Sequence, residues 1–367
     1  MKAIAIVPGK GNAHIIDTEE PHIKEADEIK IEVHEVGICG TDREEATGGR
    51  ADAPLGEKEL IIGHEMFGKV VETGKDVTTV KKGDYALFMV RRPCGHCVFC
   101  LNKRSDLCSS GDYTERGIKE RHGYQAEYVV DKEEYVIPVP AEISDLGVLT
   151  EPMSVVVKAI EESLSLQSCR FPGLDANDWL KGRKALIAGL GPIGLLAAFV
   201  LTLRGAEVYG LDIVDESTAR PSILKELGGK YINGKSIETD KIDEKYGRMD
   251  YVFEATGIAS IELQLMDILG YNGIYVLTGI PSGSRPVCIL GADIMKRMVL
   301  MNQVMLGSVN AAKKHYLIAV DELNKMKKQY NNLSSKLITE KTGYQTFSKV
   351  LDLHSPDEIK AIVVWKK

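Results

Sequence analysis

Basic charge is in short supply. The chain carries 46 Lys and Arg against 53 Asp and Glu, a net of -7, which opposes broad attraction to nucleic acid or to an anionic membrane. Cysteine is sparse too. Seven cysteines in 367 residues cannot make a disulfide scaffold, and their clustering points to metal. The opening MKAIAIVPGK lacks the apolar core and small-residue cleavage site of a signal peptide and reads as a first β-strand. There is no internal repeat and no low-complexity tract. One run, Ala185 to Leu203, has 19 residues without a charge, long enough to suggest a membrane span. Gly189, Gly191, Pro192 and Gly194 break its start, so a strand, a tight turn and a buried helix are expected there. The expectation is a cytoplasmic chain.

Hydrophobic residues at 44% and charged residues at 27% are globular values. The length calls for two domains. The first third holds short β-like runs broken by glycine, at 29–33, 68–73, 84–90 and 127–130. Helical spacing of apolar residues follows from Leu146 to Leu166, then a polar linker with Pro and Gly, 168–184. From Lys184 strand-like and helix-like runs alternate: 185–188, 194–204, 207–212, 250–254, 261–269 and 273–278. That alternation predicts an α/β region with a parallel sheet covered by helices. It ends near Leu306. A Lys-rich amphipathic segment, 315–330, and a final strand, 359–365, close the chain.

The sequence CGHCVFCLNKRSDLC places Cys94, Cys97, Cys100 and Cys108 in a C-x2-C-x2-C-x7-C array. Four thiolates so close in sequence can surround one tetrahedral ion, and a closed thiolate shell leaves no position for substrate. A structural zinc is the reading; an iron–sulfur cluster is the chemical rival. His96, inside the array, is expected to be exposed.

Gly189-Leu190-Gly191-Pro192-Ile193-Gly194 fits GxGxxG between a strand-like and a helix-like run. Its glycines suit a tight turn, close approach to a pyrophosphate and helix-on-strand packing. Free N–H groups at the helix start favour the diphosphate anion. Asp212 lies 18 positions after Gly194, where a carboxylate accepts ribose hydroxyls of NAD and repels the 2′-phosphate of NADP. No Arg or Lys occupies 213–218, so NAD is expected over NADP. Thr256 and Gly257, and Thr278, Gly279 and Ile280, follow later strands and are expected to line the dinucleotide crevice.

GICGTDR supplies Cys39, Thr41 and Asp42; IIGHEMFG supplies His64 and Glu65; LTEPMSV supplies Glu151. Thiolate, imidazole and carboxylate suit zinc, but spacing alone does not gather them. GICGTD, then GHE, then the four-cysteine lobe, then GxGxxG, resembles the zinc-containing medium-chain alcohol dehydrogenase family over most of the chain. The resemblance implies a GroES-like, mostly β catalytic domain over 1–158 and 310–367 and a doubly wound Rossmann domain over 159–309. It also implies a catalytic zinc surrounded by Cys39, His64, Glu65 and Glu151, the two glutamates as alternating or water-mediated ligands. With the lobe this makes two zinc ions per subunit.

GICGTDRE, VRRPCGHC, the run Gly111 to Glu115 and HGYQAEY look like the archaeal glucose 1-dehydrogenase branch. This resemblance implies NAD(P)-dependent oxidation of an aldose, D-glucose first, at C1 to the lactone. Thr41, Glu115, Glu151 and Asn310 would contact the sugar, and Val309 and Asn310 the cofactor. Thr41 would pass the alcohol proton outward; a relay through Glu44 and a solvated Glu44 both stay open. Arg91, Arg92 and His122 match without an assigned chemistry. Val90 and Val155 depart from polar sugar contacts of some members, and a lost hydroxyl contact shifts specificity strongly. Galactose or xylose, or a polyol or secondary alcohol, are the alternatives. Implied partners are a small sugar and other copies of the chain, as homo-dimer or homo-tetramer, with no nucleic acid and no membrane.

Overall fold

A computed structural model describes residues 1–173, 175–281, 286–352, 355 and 357–366. Leu174, in the expected linker, lies outside them. The chain forms two compact units, Met1–Ser154 with Asn310–Lys367, and Val155–Val309. The first boundary falls inside the helix Thr150–Arg170, which runs past the expected end at Leu166.

The first unit is mostly β. Its largest sheet runs Val136–Val139, Tyr85–Phe88, Glu65–Thr73, Glu28–Ile38, Lys360–Val364, Ile338–Gly343, with Tyr128–Lys132 also on Glu28–Ile38. The C-terminal strand thus returns to the first unit, with Ala361 opposite Ile38 and Glu65 opposite Gly37. Three strand ends therefore meet where Cys39 begins a short helix, Gly40–Ala46. A smaller sheet joins Arg91–Arg92, Thr114–Arg116 and Glu120–Arg121.

Asp131 fastens that smaller sheet to the larger one. It accepts from Arg92 Nη2 at 2.6 Å and Arg116 Nε at 3.0 Å, with Arg121 at 3.8 Å. Burial raises its carboxyl, but Arg116 and Arg92 outweigh burial and hold it well below the carboxylate range. A depressed carboxylate stabilises the fold above its unfolded pKa of about 4 and loses that contribution as pH falls toward the folded value. Asp131→Asn should cost about 3–5 kcal/mol at neutral pH, because two buried guanidiniums lose their counter-charge. Urea unfolding checks this, and below about pH 4 the gap between variant and parent should narrow.

The second unit holds a fully parallel sheet in the order Lys230–Asn233, Glu207–Asp212, Lys184–Ala188, Met249–Glu254, Leu269–Leu277, Val304–Gly307. Read in chain order this is 3-2-1-4-5-6, the doubly wound Rossmann arrangement. Ala185 to Ala188 are buried on both faces, as a central parallel strand requires. The helix Pro192–Leu203 is buried from Gly194 to Leu201. The long uncharged run is therefore a strand, a turn and a core helix. No helix among the described residues is long and apolar enough to cross a membrane.

Candidate functional site

Cys39, His64 and Glu65 converge, each offering a ligand atom within 4.8 Å of the others. The Cys39 sulfur lies 3.0 Å from His64 Nε2. Cys39 caps its helix: Sγ accepts from the Thr41 N–H at 3.1 Å, and Asp42 Oδ2 accepts from the Cys39 N–H at 2.8 Å. Asp42 Oδ1 stands 3.6 Å from His64 Nδ1, and neither atom has a hydrogen-bond partner. Glu65 forms a buried ion pair with Lys360, whose Nζ also donates to the Ile38 carbonyl at 3.0 Å.

Burial disfavours the imidazolium, yet Cys39 and Asp42 outweigh it and hold His64 well above its ordinary pKa. Burial pushes the Cys39 thiol up. Glu151, in the first turn of its helix, is pushed up to about 7 by burial, with His64 opposing and Glu65 adding. It lies outside the three-residue ligand group. A half-buried thiol with a buried imidazole and carboxylate, in an anionic field that draws positive charge inward, fit a zinc ion. Asp42 beside Nδ1 stands where an outer carboxylate would orient a metal-bound histidine. The two carboxylates cannot be ranked as ligands by sequence motif, and here Glu65 joins the cluster while Glu151 stands beside it.

Glu115 and Asn310, the expected sugar contacts, approach this cluster through backbone. A Cβ on Gly117 would fall 2.5 Å from the Gly63 carbonyl oxygen, so the chain after Glu115 packs directly on the residue before His64. Only glycine permits that approach with φ at +77°. Asn310, at φ +62°, donates from Nδ2 to Glu115 Oε1 at 2.5 Å. Asn tolerates this left-handed backbone better than most residues. Val90 is buried, and its N–H donates to the Tyr316 hydroxyl at 3.4 Å. Val155 is half-buried on its helix. Glu44 is half-exposed and 4.0 Å from Arg50, the solvated alternative rather than a buried relay.

Cys94, Cys97, Cys100 and Cys108 also lie with sulfurs within 4.8 Å of one another. The Cys97 and Cys108 sulfurs are 3.9 Å apart; a tetrahedron of Zn–S bonds near 2.3 Å has edges of about 3.8 Å. The Cys100 N–H donates to Cys97 Sγ and the Cys97 N–H to Cys94 Sγ, each at 3.4 Å. Backbone donation from Cys100 pulls Cys97 down to about 5, while burial pushes Cys100 up to about 12. His96 is exposed, with Nδ1 against the Cys94 carbonyl. Four sulfurs with backbone donors already aimed at them fit a closed structural metal site.

In the second unit, Gly189 has φ +86°, and a Cβ on Gly194 would strike the Gly189 carbonyl oxygen at 1.8 Å. Gly191 caps the helix with Pro192 at its first position, and nothing lies within 4 Å of where its Cβ would be. That opening, beside unpaired helix N–H groups, fits a diphosphate. Ile193 follows in the first turn. Asp212 ends its strand, Oδ2 accepting from the Leu190 N–H at 2.8 Å. Thr256 and Gly257 donate N–H to Glu254 Oε1 at 2.5 and 3.2 Å. Thr278 Oγ1 donates to the Glu254 carbonyl at 2.6 Å, so one buried glutamate ties both later loops together. Ile280 and Val309 are exposed, and the Val309 carbonyl accepts from Lys158 Nζ at 2.7 Å.

Sequence reasoning missed Lys360, Glu254 and Arg220. Arg220 lies just past the window searched for a base, with Nη1 3.7 Å from Asp212 Oδ2. A wider window would have found it. Lys360 and Glu254 carry no local signal, being partners set by the fold. Glu45 is also buried, pushed up to about 9 by burial and by Asp42.

Residues 25–141 match the family described as alcohol dehydrogenase GroES-like domain, and residues 144–365 match glucose dehydrogenase C-terminus. The chain is 35% identical over 365 residues to glucose 1-dehydrogenase of Methanocella arvoryzae, covering 99% of each. It is 35% identical over 364 residues to glucose 1-dehydrogenase 2 of Vulcanisaeta moutnovskia, again covering 99% of each. Haloferax mediterranei glucose dehydrogenase, solved in complex with NADP, Zn and gluconolactone, superposes with a TM-score of 0.89 at 29% identity and covers 100% of both chains. The chain belongs to the glucose dehydrogenase family of zinc-dependent medium-chain dehydrogenases.

Proposed function

We propose that this chain oxidises an aldose, D-glucose first, at C1 to the aldonolactone, passing a hydride to NAD(P). The observation that carries the reading is the Cys39, His64 and Glu65 cluster with the Glu115–Asn310 pair packed beside it through Gly63 and Gly117. When bound, zinc supplies Lewis-acid stabilisation of the ionising C1 hydroxyl, and the nicotinamide supplies the hydride acceptor.

Cys39, His64 and Glu65 would hold that zinc, with Glu151 as the second carboxylate and water-linked or alternating ligand. Cys94, Cys97, Cys100 and Cys108 would hold a second zinc in each subunit. Asp42 keeps the His64 ring oriented. Glu115 and Asn310 bind sugar hydroxyls, and Thr41 passes the C1 hydroxyl proton toward solvent. Gly189 to Gly194 cradle the diphosphate. Thr256, Gly257, Thr278, Gly279, Ile280, Val309 and Asn310 form the remainder of the cofactor contacts.

NAD is favoured over NADP. Asp212, with Asp215 and Glu216 close behind, presents negative charge where a 2′-phosphate would lie, and Arg220 offsets one charge of the three. Asp212→Asn should raise the NADP-to-NAD ratio of kcat/KM by about tenfold or more, the effect of roughly 1.4 kcal/mol. Steady-state rates with both cofactors measure it; an unchanged ratio would remove Asp212 from cofactor choice.

A homo-dimer or homo-tetramer is the expected assembly. Val304–Gly307 ends its sheet with one edge unpaired among the described residues. Leu290, Met295, Val299 and Leu300 are exposed nearby in sequence, and such edges and apolar faces invite another copy. Reduced, metal-suited thiols agree with a cytoplasmic site. Buried Val90 favours keeping a second reading, another aldose such as galactose or xylose, or a polyol. Rates with glucose, galactose, xylose, sorbitol and short alcohols, followed by NADH absorbance, decide between them. Turnover of sorbitol or a simple alcohol above every aldose would sink the aldose reading.

A further inference from the structure

Glu115 is held by a side chain to which nothing above gives a role. Arg91 donates to Glu115 Oε1 from Nε at 3.0 Å and from Nη2 at 2.9 Å. Its remaining arm, Nη1, donates to the backbone carbonyls of Asp106 at 3.1 Å and Ser105 at 3.4 Å. Those carbonyls belong to the 3-10 turn Ser105–Leu107 inside the cysteine lobe. The guanidinium also lies 3.8 Å from the Tyr113 ring centroid, with the Lys119 ammonium 4.3 Å from the same ring. Arg91 is 7% exposed and Glu115 9%. A planar fork buried this way, with donors committed to three acceptors and a ring on its face, has one orientation.

The hydrogen bonds that reach the Glu115 carboxylate fall on one oxygen. Oε1 receives Arg91 twice and Asn310 once. Among the described residues no hydrogen bond reaches Oε2. The arrangement fixes the plane of the carboxylate and leaves its second oxygen as an acceptor for a hydroxyl.

We infer that Arg91 is a positioning residue for substrate choice: a strut from the cysteine lobe that fixes Glu115 so that Oε2 accepts one hydroxyl of the aldose away from C1. The inference rests on the reading of Glu115 as a sugar contact. It also gives the lobe a place in specificity, since the strut's far end is anchored on the lobe's own backbone. Without the fork Glu115 loses its direction. The discrimination against a sugar lacking that hydroxyl then falls, because such discrimination comes from a buried polar group left without its partner.

The test uses the zinc-loaded full-length enzyme with saturating NAD. Glu115→Ala, Arg91→Met and Arg91→Lys are compared with the parent on glucose and on its 2-, 3-, 4- and 6-deoxy forms. In the parent one deoxyglucose is penalised in kcat/KM by at least about a hundredfold relative to glucose. Glu115→Ala and both Arg91 variants are expected to reduce that one ratio by about tenfold or more. The KM for glucose rises, and the kcat with saturating sugar changes far less. Arg91→Lys keeps the charge without the fork and guards against a methionine variant that fails to fold. If the Arg91 variants lose rate equally on every sugar and keep the parental ratio, Arg91 is merely structural and the inference is overturned while Glu115 stands. If Glu115→Ala itself leaves every ratio unchanged, the sugar-contact reading falls and the inference with it.

Discussion

His64→Ala is expected to abolish measurable glucose oxidation, lowering kcat/KM by at least about a thousandfold. A metal centre contributes several kcal/mol of charge stabilisation, and each 1.4 kcal/mol is tenfold in rate. The His64 ring is buried with Cys39 and Glu65 around it, so its loss would remove one of the three proposed ligands. Metal content should fall by one zinc per chain. NAD binding, assigned above by proposal to the glycines and Asp212 of the other unit, should persist in a fluorescence titration. Asp42→Asn should be milder, about ten- to a hundredfold, because Asp42 orients the ring and does not join the ligand group. Equal losses for the two variants would show that His64 serves packing rather than metal.

The second large effect lies in the lobe. Cys97→Ser should release the lobe zinc and lower the melting temperature of the first unit by roughly 10 °C, the consequence of about 4 kcal/mol in a domain of this size. The lobe has little apolar material to hold it otherwise, since Val98, Phe99 and Leu101 are exposed. With its metal gone, the turn at Ser105 and Asp106 loses its frame, so the KM for glucose should rise as well. Zinc analysis and thermal unfolding monitored by circular dichroism check both. A variant that keeps two zinc ions and the parental melting temperature would remove the structural role.

What could be read from residues alone follows a physical line. The four-cysteine lobe and the GxGxxG turn each build a site from one short stretch, so spacing reveals them. Asp212 was legible because strand length sets its distance from the glycines. The convergence of Cys39, His64 and Glu65 could be expected only through family likeness: Cys39 and Glu65 meet because two strands pair at Gly37, a fact no spacing encodes. Lys360 beside Glu65, Arg91 beside Glu115 and Arg220 beside Asp212 are products of folding. The strand Ile338–Gly343 escaped notice because ITEKTG is polar and largely exposed at a sheet edge. The short strand Lys230–Asn233 lies at an edge of the second unit's sheet and buries Ile232 alone, too short a pattern to read as a strand. The central strand Glu28–Ile38 was legible only over 29–33, where isoleucine and valine alternate with charged residues.

Everything proposed for the site turns on hydride removal from C1 of an aldose. Glucose carrying deuterium at C1, incubated with the zinc-loaded enzyme and NAD, tests it directly by mass spectrometry of both products. The expected products are deuterated NADH and an unlabelled aldonolactone, with turnover slower than for unlabelled glucose where hydride transfer limits the rate. Unlabelled NADH with deuterium retained in the sugar product would contradict it.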